Sequence, residues 1–121
     1  MPDDRRAALV LVPGRANLAE LRRVYEHDDE LQIDPAARAG VDAARAAVQA
    51  IVSTGRVVYG VNTGFGRLAQ TIIPAGRLAE LQANLVLSHS VGTGPLLPDR
   101  VVRLVIALKA LGLARGHSGI R

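Results

Sequence analysis

Apolar residues recur along most of this chain at helical spacing, and proline and glycine mark the breaks between the periodic segments. Ala8 to Val12 is a short apolar run closed by Pro13-Gly14 and predicts a brief strand. Asn17 then stands as the N-cap of a helix to about Tyr25, with Leu18, Leu21 and Val24 or Tyr25 on one face. The acidic run His27-Asp28-Asp29-Glu30 ends it as a solvated loop. Asp34-Pro35 opens a second helix, with an acid at the cap and a proline in the first turn, where its missing N–H costs nothing. That helix should reach about Thr54, turning Val41, Val48, Ile51 and Val52 inward, and Gly55 is its natural stop. Pro74 begins a third helix to about Ser90, with Leu78, Leu81, Leu85 and Val86 at helical spacing. Beyond Gly92, Gly94, Pro95 and Pro98, a last helix runs from an N-cap near Asp99 to about Ala114.

The last helix differs from the others. Val101, Val102, Leu104, Val105, Ile106, Leu108, Leu111 and Leu113 cover most of its circumference rather than one stripe. A helix apolar nearly all round is normally buried within a larger bundle, and the other predicted helices are too few to surround it. Ser118-Gly119-Ile120-Arg121 reads as the opening of a further helix. Both features predict a truncated chain, or one that depends on partner chains. The expected class is mainly α: part of a helical bundle, with a short β-strand or hairpin element near a glycine loop.

Composition agrees with helices. The chain is 49% hydrophobic but only 2% aromatic, with no Trp, so its core must be built from Leu, Val, Ile and Ala. Packed helices suit that composition better than a β-sandwich. A length of 121 residues allows one domain with a modest core. Cysteine is absent, which excludes disulfides and thiolate metal sites and fits a reducing compartment. His27, His89 and His117 are too scattered in sequence to suggest a metal cluster, so no metal is implied.

Charge is unevenly placed. Residues 1–42 hold nine acids and six bases, and residues 43–121 hold two acids and nine bases. The later bases are nearly all Arg, spaced singly and without aromatic stacking partners, a poor nucleic-acid footprint. They suit acidic partners elsewhere in a larger protein. The run Ala7 to Val12 is too short for a signal-peptide core, and Asp3 and Asp4 stand where positive charge is wanted. Val101 to Leu113 is too short to span a bilayer. A cytoplasmic protein with neither nucleic acid nor membrane as partner is expected.

Chemistry concentrates in residues 57–66, VVYGVNTGFG. A β-branched run delivers Tyr59, one of two tyrosines, into a loop punctuated by Gly60, Gly64 and Gly66. Glycines there let the backbone take positive φ and approach another backbone or a ligand. Taken locally, a glycine-rich turn closing a hairpin, with Tyr59 packed beside it, is the preferred reading, because an isolated glycine motif is weak evidence for a site.

Three segments in order change that balance. Tyr59-Gly60-Val61-Asn62-Thr63-Gly64-Phe65-Gly66 resembles the tyrosine loop of the aromatic amino-acid ammonia-lyases and aminomutases. The run from Leu81 to Ser90, LQANLVLSHS, followed by Val91-Gly92-Thr93-Gly94, resembles the same family, as does the stretch from Leu108 to Arg121. The resemblance runs over nearly the whole chain, is strongest from Val57 onward, and is nearest to the histidine ammonia-lyases. It implies that residues 1–121 are the amino-terminal part of a larger all-α lyase domain, covering roughly its first quarter.

The resemblance also implies a division of labour. Tyr59 matches the family's catalytic tyrosine, a phenolate-type acid/base acting on substrate as ammonia is eliminated. An unassisted phenol is a weak base at neutral pH, so neighbours must favour its ionised form. Gly60 and Gly64 suit a loop that closes over substrate, and Gly66 suits close approach to the prosthetic group. His89 matches the position that faces the substrate side chain, where an imidazole can hydrogen-bond a polar ring. Read without the family, it is a histidine at a helix end, satisfied by a backbone carbonyl. Arg115 and His117 are read as structural.

The family's electrophile is methylidene-imidazolone (MIO), made by cyclisation of an internal Ala-Ser-Gly triplet. This chain contains no Ala-Ser-Gly, so it cannot form the group. The isolated chain is therefore expected to be inactive, and poorly stable because its last helix lacks burial partners. The intact enzyme implied is a homotetramer that converts L-histidine to urocanate and ammonia. Tyrosine ammonia-lyase or an MIO-dependent aminomutase is the alternative within the family. A non-catalytic helical assembly module is the alternative outside it.

Overall fold

The computed structural model describes residues 8–120. The leader reading at Asp3, Asp4 and Ala7, and Arg121 at the end of the last segment, lie outside the described residues. Along those described, the chain forms β1 (Leu9–Leu11), α1 (Leu18–Glu26), β2 (Leu31–Ile33), α2 (Arg38–Thr54), α3 (Leu78–His89) and α4 (Asp99–Leu113). Single 3-10 turns at Pro35–Ala37 and Ala75–Arg77 lead into α2 and α3, and a third spans Gly66–Leu68. The protein is mainly α, as the apolar periodicity predicts, and carries a short two-stranded sheet. These residues fall into two compact units, one made of those up to Arg45 with those from Leu96 onward, the other Ala46–Pro95.

In the first unit, β1 and β2 pair in parallel, Leu9 opposite Leu31 and Leu11 opposite Ile33, with α1 as the crossover between them. Parallel strands require such a crossover, and a helix is the usual one. Asn17 caps α1 in a reciprocal box. Its Oδ1 accepts from the Glu20 N–H at 3.0 Å, and the Glu20 carboxylate accepts from the Asn17 N–H at 2.8 Å. Leu11, Val24, Ala107 and Leu111 are buried, with Leu21, Leu31, Ile33 and Leu104 packed against them. Strand, crossover helix and α4 thus share one small aliphatic core.

Several expectations for this unit need correction. The acidic run after α1 is not wholly solvated: Asp29 is buried, paired with Arg23, and its carbonyl accepts from the Arg103 guanidinium. A buried carboxylate needs such partners. Leu31–Ile33 then forms β2, which the sequence reading does not place. At α4, Asp99 is the first helical residue rather than the cap, because Pro98 takes the extended backbone before it. The helix also buries only a stripe through Ala107 and Leu111, leaving Val105 55% and Ile106 63% exposed. Ser118 to Ile120 carries no helix.

The second unit holds the end of α2 and all of α3. Gly55 stops α2 at φ 66°, a left-handed conformation that glycine adopts without penalty. Val48, Ile51 and Val52 are half-buried, as are Leu78, Leu81 and Leu85 on α3, while Val86 stays exposed. The short β-element near the glycine loop is one antiparallel bridge, Thr63 to Ile72, rather than a full hairpin. Among the described residues, no helix is long and apolar enough to cross a membrane.

Candidate functional site

Residues 56–73 form a tight loop held from inside. Val58 accepts from the N–H groups of Val61 and Asn62, which turns the chain sharply at Tyr59-Gly60. Gly60 takes φ 76°, the left-handed value that the reversal requires. Asn62 and Thr63 are buried beneath the turn. The Asn62 carbonyl accepts from Ile73 at 2.9 Å, and Gly64 donates to Thr71 at 3.0 Å, so the outgoing strand is tied to the 71–73 segment.

Tyr59 rides on top of this frame. Its residue is 64% exposed, and its hydroxyl has no hydrogen-bond partner among the described residues. One contact steadies the ring: Phe65 meets it edge to face, with centroids 6.0 Å apart and planes at 74°. Gly60 lies beside the same Phe65, where an added Cβ would stand 4.0 Å from the ring. Tyr59, Gly60 and Phe65 therefore form one cluster.

The other two glycines have different surroundings. A Cβ on Gly64 would stand 2.6 Å from the Leu68 Cβ and 2.8 Å from the Leu68 carbonyl oxygen. Close backbone approach is thus real, but the neighbour is the 3-10 turn after the loop. Gly66 opens that turn at φ 56°, with open space where its Cβ would be.

His89 closes α3. Its Nδ1 lies 2.9 Å from the Leu85 carbonyl and 3.0 Å from the Ser88 hydroxyl, which itself donates to Leu85. A carbonyl only accepts, so Nδ1 is the donor in this contact, and in the neutral imidazole of that tautomer Nε2 is an acceptor. The ring is satisfied by a helix carbonyl, as the family-free reading expects, yet it remains exposed with one acceptor unused. These bonds stay within α3, so the loop and the helix end are separate clusters of side chains. Among the described residues, no group of three or more His, Asp or Glu is placed to hold a metal ion.

Two loop residues escape sequence reasoning. Phe65 and Asn62 sit inside the recognised run, but only the folded path gives them work: one flanks the phenol, the other fastens the turn. The available signal is that asparagine readily bonds nearby backbone in tight turns.

A profile of the family described as aromatic amino acid lyase matches residues 16–121. Histidine ammonia-lyase of Paracidovorax citrulli is 60% identical over 113 residues, 93% of this chain and 22% of that protein. Among solved structures, the ergothioneine degrading enzyme ergothionase from Treponema denticola, in complex with desmethyl-ergothioneine sulfonic acid, aligns with a TM-score of 0.87. Its identity is 29%, covering 93% of this chain and 23% of that one. Tyrosine aminomutase from Streptomyces globisporus aligns with a TM-score of 0.81 at 32% identity, covering 88% of this chain and 20% of that one. The chain spans about a fifth of the length of these proteins. With the profile matching most of its residues, the chain belongs to the aromatic amino acid lyase family.

Proposed function

We propose that this chain supplies the amino-terminal, tyrosine-bearing part of a histidine ammonia-lyase, which eliminates ammonia from L-histidine to give urocanate. The observation that carries this reading is the exposed phenol of Tyr59, without a hydrogen bond of its own, on a turn that backbone bonds to Val58 and the Asn62 side chain hold in place. Elimination breaks the bond from Cα to the amino group and removes a proton from Cβ. A phenol presented to substrate by a fixed turn is suited to acid/base work of that kind.

The prosthetic group MIO supplies the electrophile in this family. Its Ala-Ser-Gly precursor does not occur in these 121 residues, so the residues present fit a role beside the group rather than in forming it. Tyr59, with a free hydroxyl and room around Gly60 and Gly66, would face that region. His89 would select the side chain. Its Nε2 lone pair accepts from the ring N–H of a histidine substrate and finds no donor on a phenyl ring. Identity of 60% to a histidine ammonia-lyase favours imidazole. A phenol O–H would satisfy the same acceptor, and the likeness to tyrosine aminomutase keeps a tyrosine substrate as the second reading. Residues that complete the site, and the homotetramer expected to bring them together, belong to the intact enzyme.

The test is a chimera in which residues 16–121 of this chain replace the matching segment of the Paracidovorax citrulli enzyme. It is expected to form urocanate, read by ultraviolet absorbance. Tyr59→Phe should lower kcat by about 100-fold or more, and His89→Leu should mainly raise KM for L-histidine. An assembled chimera that keeps its kcat with Tyr59→Phe overturns the reading. Preferential formation of coumarate from L-tyrosine moves it to the second substrate.

A further inference from the structure

We infer that Asn62 is a positioning residue for Tyr59, an inference that rests on the acid/base reading of that tyrosine. Asn62 is only 5% exposed, and all four of its hydrogen-bonding groups are engaged. Its side-chain Nδ2 donates to the Arg56 carbonyl at 2.8 Å, and its Oδ1 accepts from the Val58 N–H at 2.9 Å. Its own N–H donates to the Val58 carbonyl at 3.2 Å, and its carbonyl accepts from Ile73 at 2.9 Å.

This pattern bears on one neighbour above all. Val58, the residue just before Tyr59, is gripped by Asn62 at both its N–H and its C=O. The chain entering Tyr59 is thereby locked to the chain leaving it. The phenol has no hydrogen bond of its own, so its placement depends on this backbone ring and on the Phe65 contact. An amide is the side chain that does both jobs at once, since it offers a donor and an acceptor from one planar group. An aspartate keeps the acceptor for Val58 but sets a carboxylate against the Arg56 carbonyl. An alanine loses both bonds.

A misplacement of the phenol by about 1 Å is enough to lose roughly 100-fold in rate. In the chimera described above, Asn62→Ala is therefore expected to lower kcat roughly 100-fold with KM changed less than about threefold. Asn62→Asp should fall between that variant and the unmutated chimera. The decisive readout is coupling: in a Tyr59→Phe background, Asn62→Ala should cost less than about threefold more, because the residue it positions is already disabled. Thermal midpoint and assembly state are measured for each variant, and Asn62→Asp carries the test if Asn62→Ala fails to assemble. In the 121-residue chain itself, amide exchange at Val58 should accelerate in Asn62→Ala and less in Asn62→Asp, which keeps the acceptor for that N–H.

Multiplicative losses in the double variant overturn the inference, as does an unchanged kcat in an Asn62 variant whose thermal midpoint falls. Either result leaves Tyr59 as the acid/base if Tyr59→Phe alone is inactive. An active Tyr59→Phe overturns the reading of the tyrosine and the positioning role with it.

Discussion

Gly64 has no room for a side chain. Its missing Cβ would meet both the side chain and the carbonyl of Leu68 inside ordinary contact distance, and those atoms belong to a 3-10 turn that begins at Gly66. Gly64→Ala must therefore move backbone rather than the tip of a flexible chain. We expect a loss of about 1–3 kcal/mol, read as a lower midpoint in urea, with the largest rise in amide exchange at Gly64 and Ile73. A Gly64→Ala chain as stable as the parent would mean that the 62–73 segment gives way at little cost. Gly66→Ala meets no atom within reach but occupies φ 56°, so its cost is conformational only. Tyr59 and the three glycines were legible because a phenol and a cluster of glycines stand out in a linear string. Asn62 was not, since its importance lies in which carbonyl and which N–H the folded loop brings to its amide.

At the scale of elements, α3 begins on a pair of exposed charges. Arg77 donates to Glu80 through Nε at 2.9 Å and through a second nitrogen at 3.2 Å. The hydrogen bond from Arg77, and secondarily its charge, hold the Glu80 carboxyl below its ordinary range. A lowered acid contributes support that is present above its unfolded pKa and is lost as pH falls through the folded value. Protection factors for the α3 amides should therefore hold at neutral pH and decline in the acid range below the usual glutamate titration. Glu80→Gln should flatten that decline, and added salt should weaken it because the pair is open to solvent. A decline of equal size in Glu80→Gln would assign it to other groups. The helices themselves were legible from apolar spacing and from Asn17, Pro35, Gly55 and Pro74, all of which act through local chemistry. β2 was not. Leu31–Ile33 is too short to show a period, and it becomes a strand only because Leu9–Leu11 lies alongside it, more than 20 residues away in sequence.

For the molecule as a whole, the question is what covers α4. The sequence reading expects a helix wrapped on all sides, yet only the stripe through Ala107 and Leu111 is buried among the described residues. Val102, Val105 and Ile106, spaced to share one helix face, remain 40%, 55% and 63% exposed. Contiguous apolar surface of this kind is uncommon on proteins that work as monomers. The same chain lacks the Ala-Ser-Gly triplet from which the family's electrophile is made. These two facts predict linked behaviours for the purified 121-residue chain. It should form no urocanate from L-histidine, and its sedimentation coefficient should rise with concentration. Val105→Lys and Ile106→Lys place charge on the open face while sparing the buried stripe, so they should reduce self-association without reducing helix content in circular dichroism. Measurable turnover would show that the electrophile arises by another route. A sedimentation coefficient that stays constant up to about 100 μM, the concentration range where exposed apolar surface drives association, would mean that the α4 face is stable in water and needs no cover.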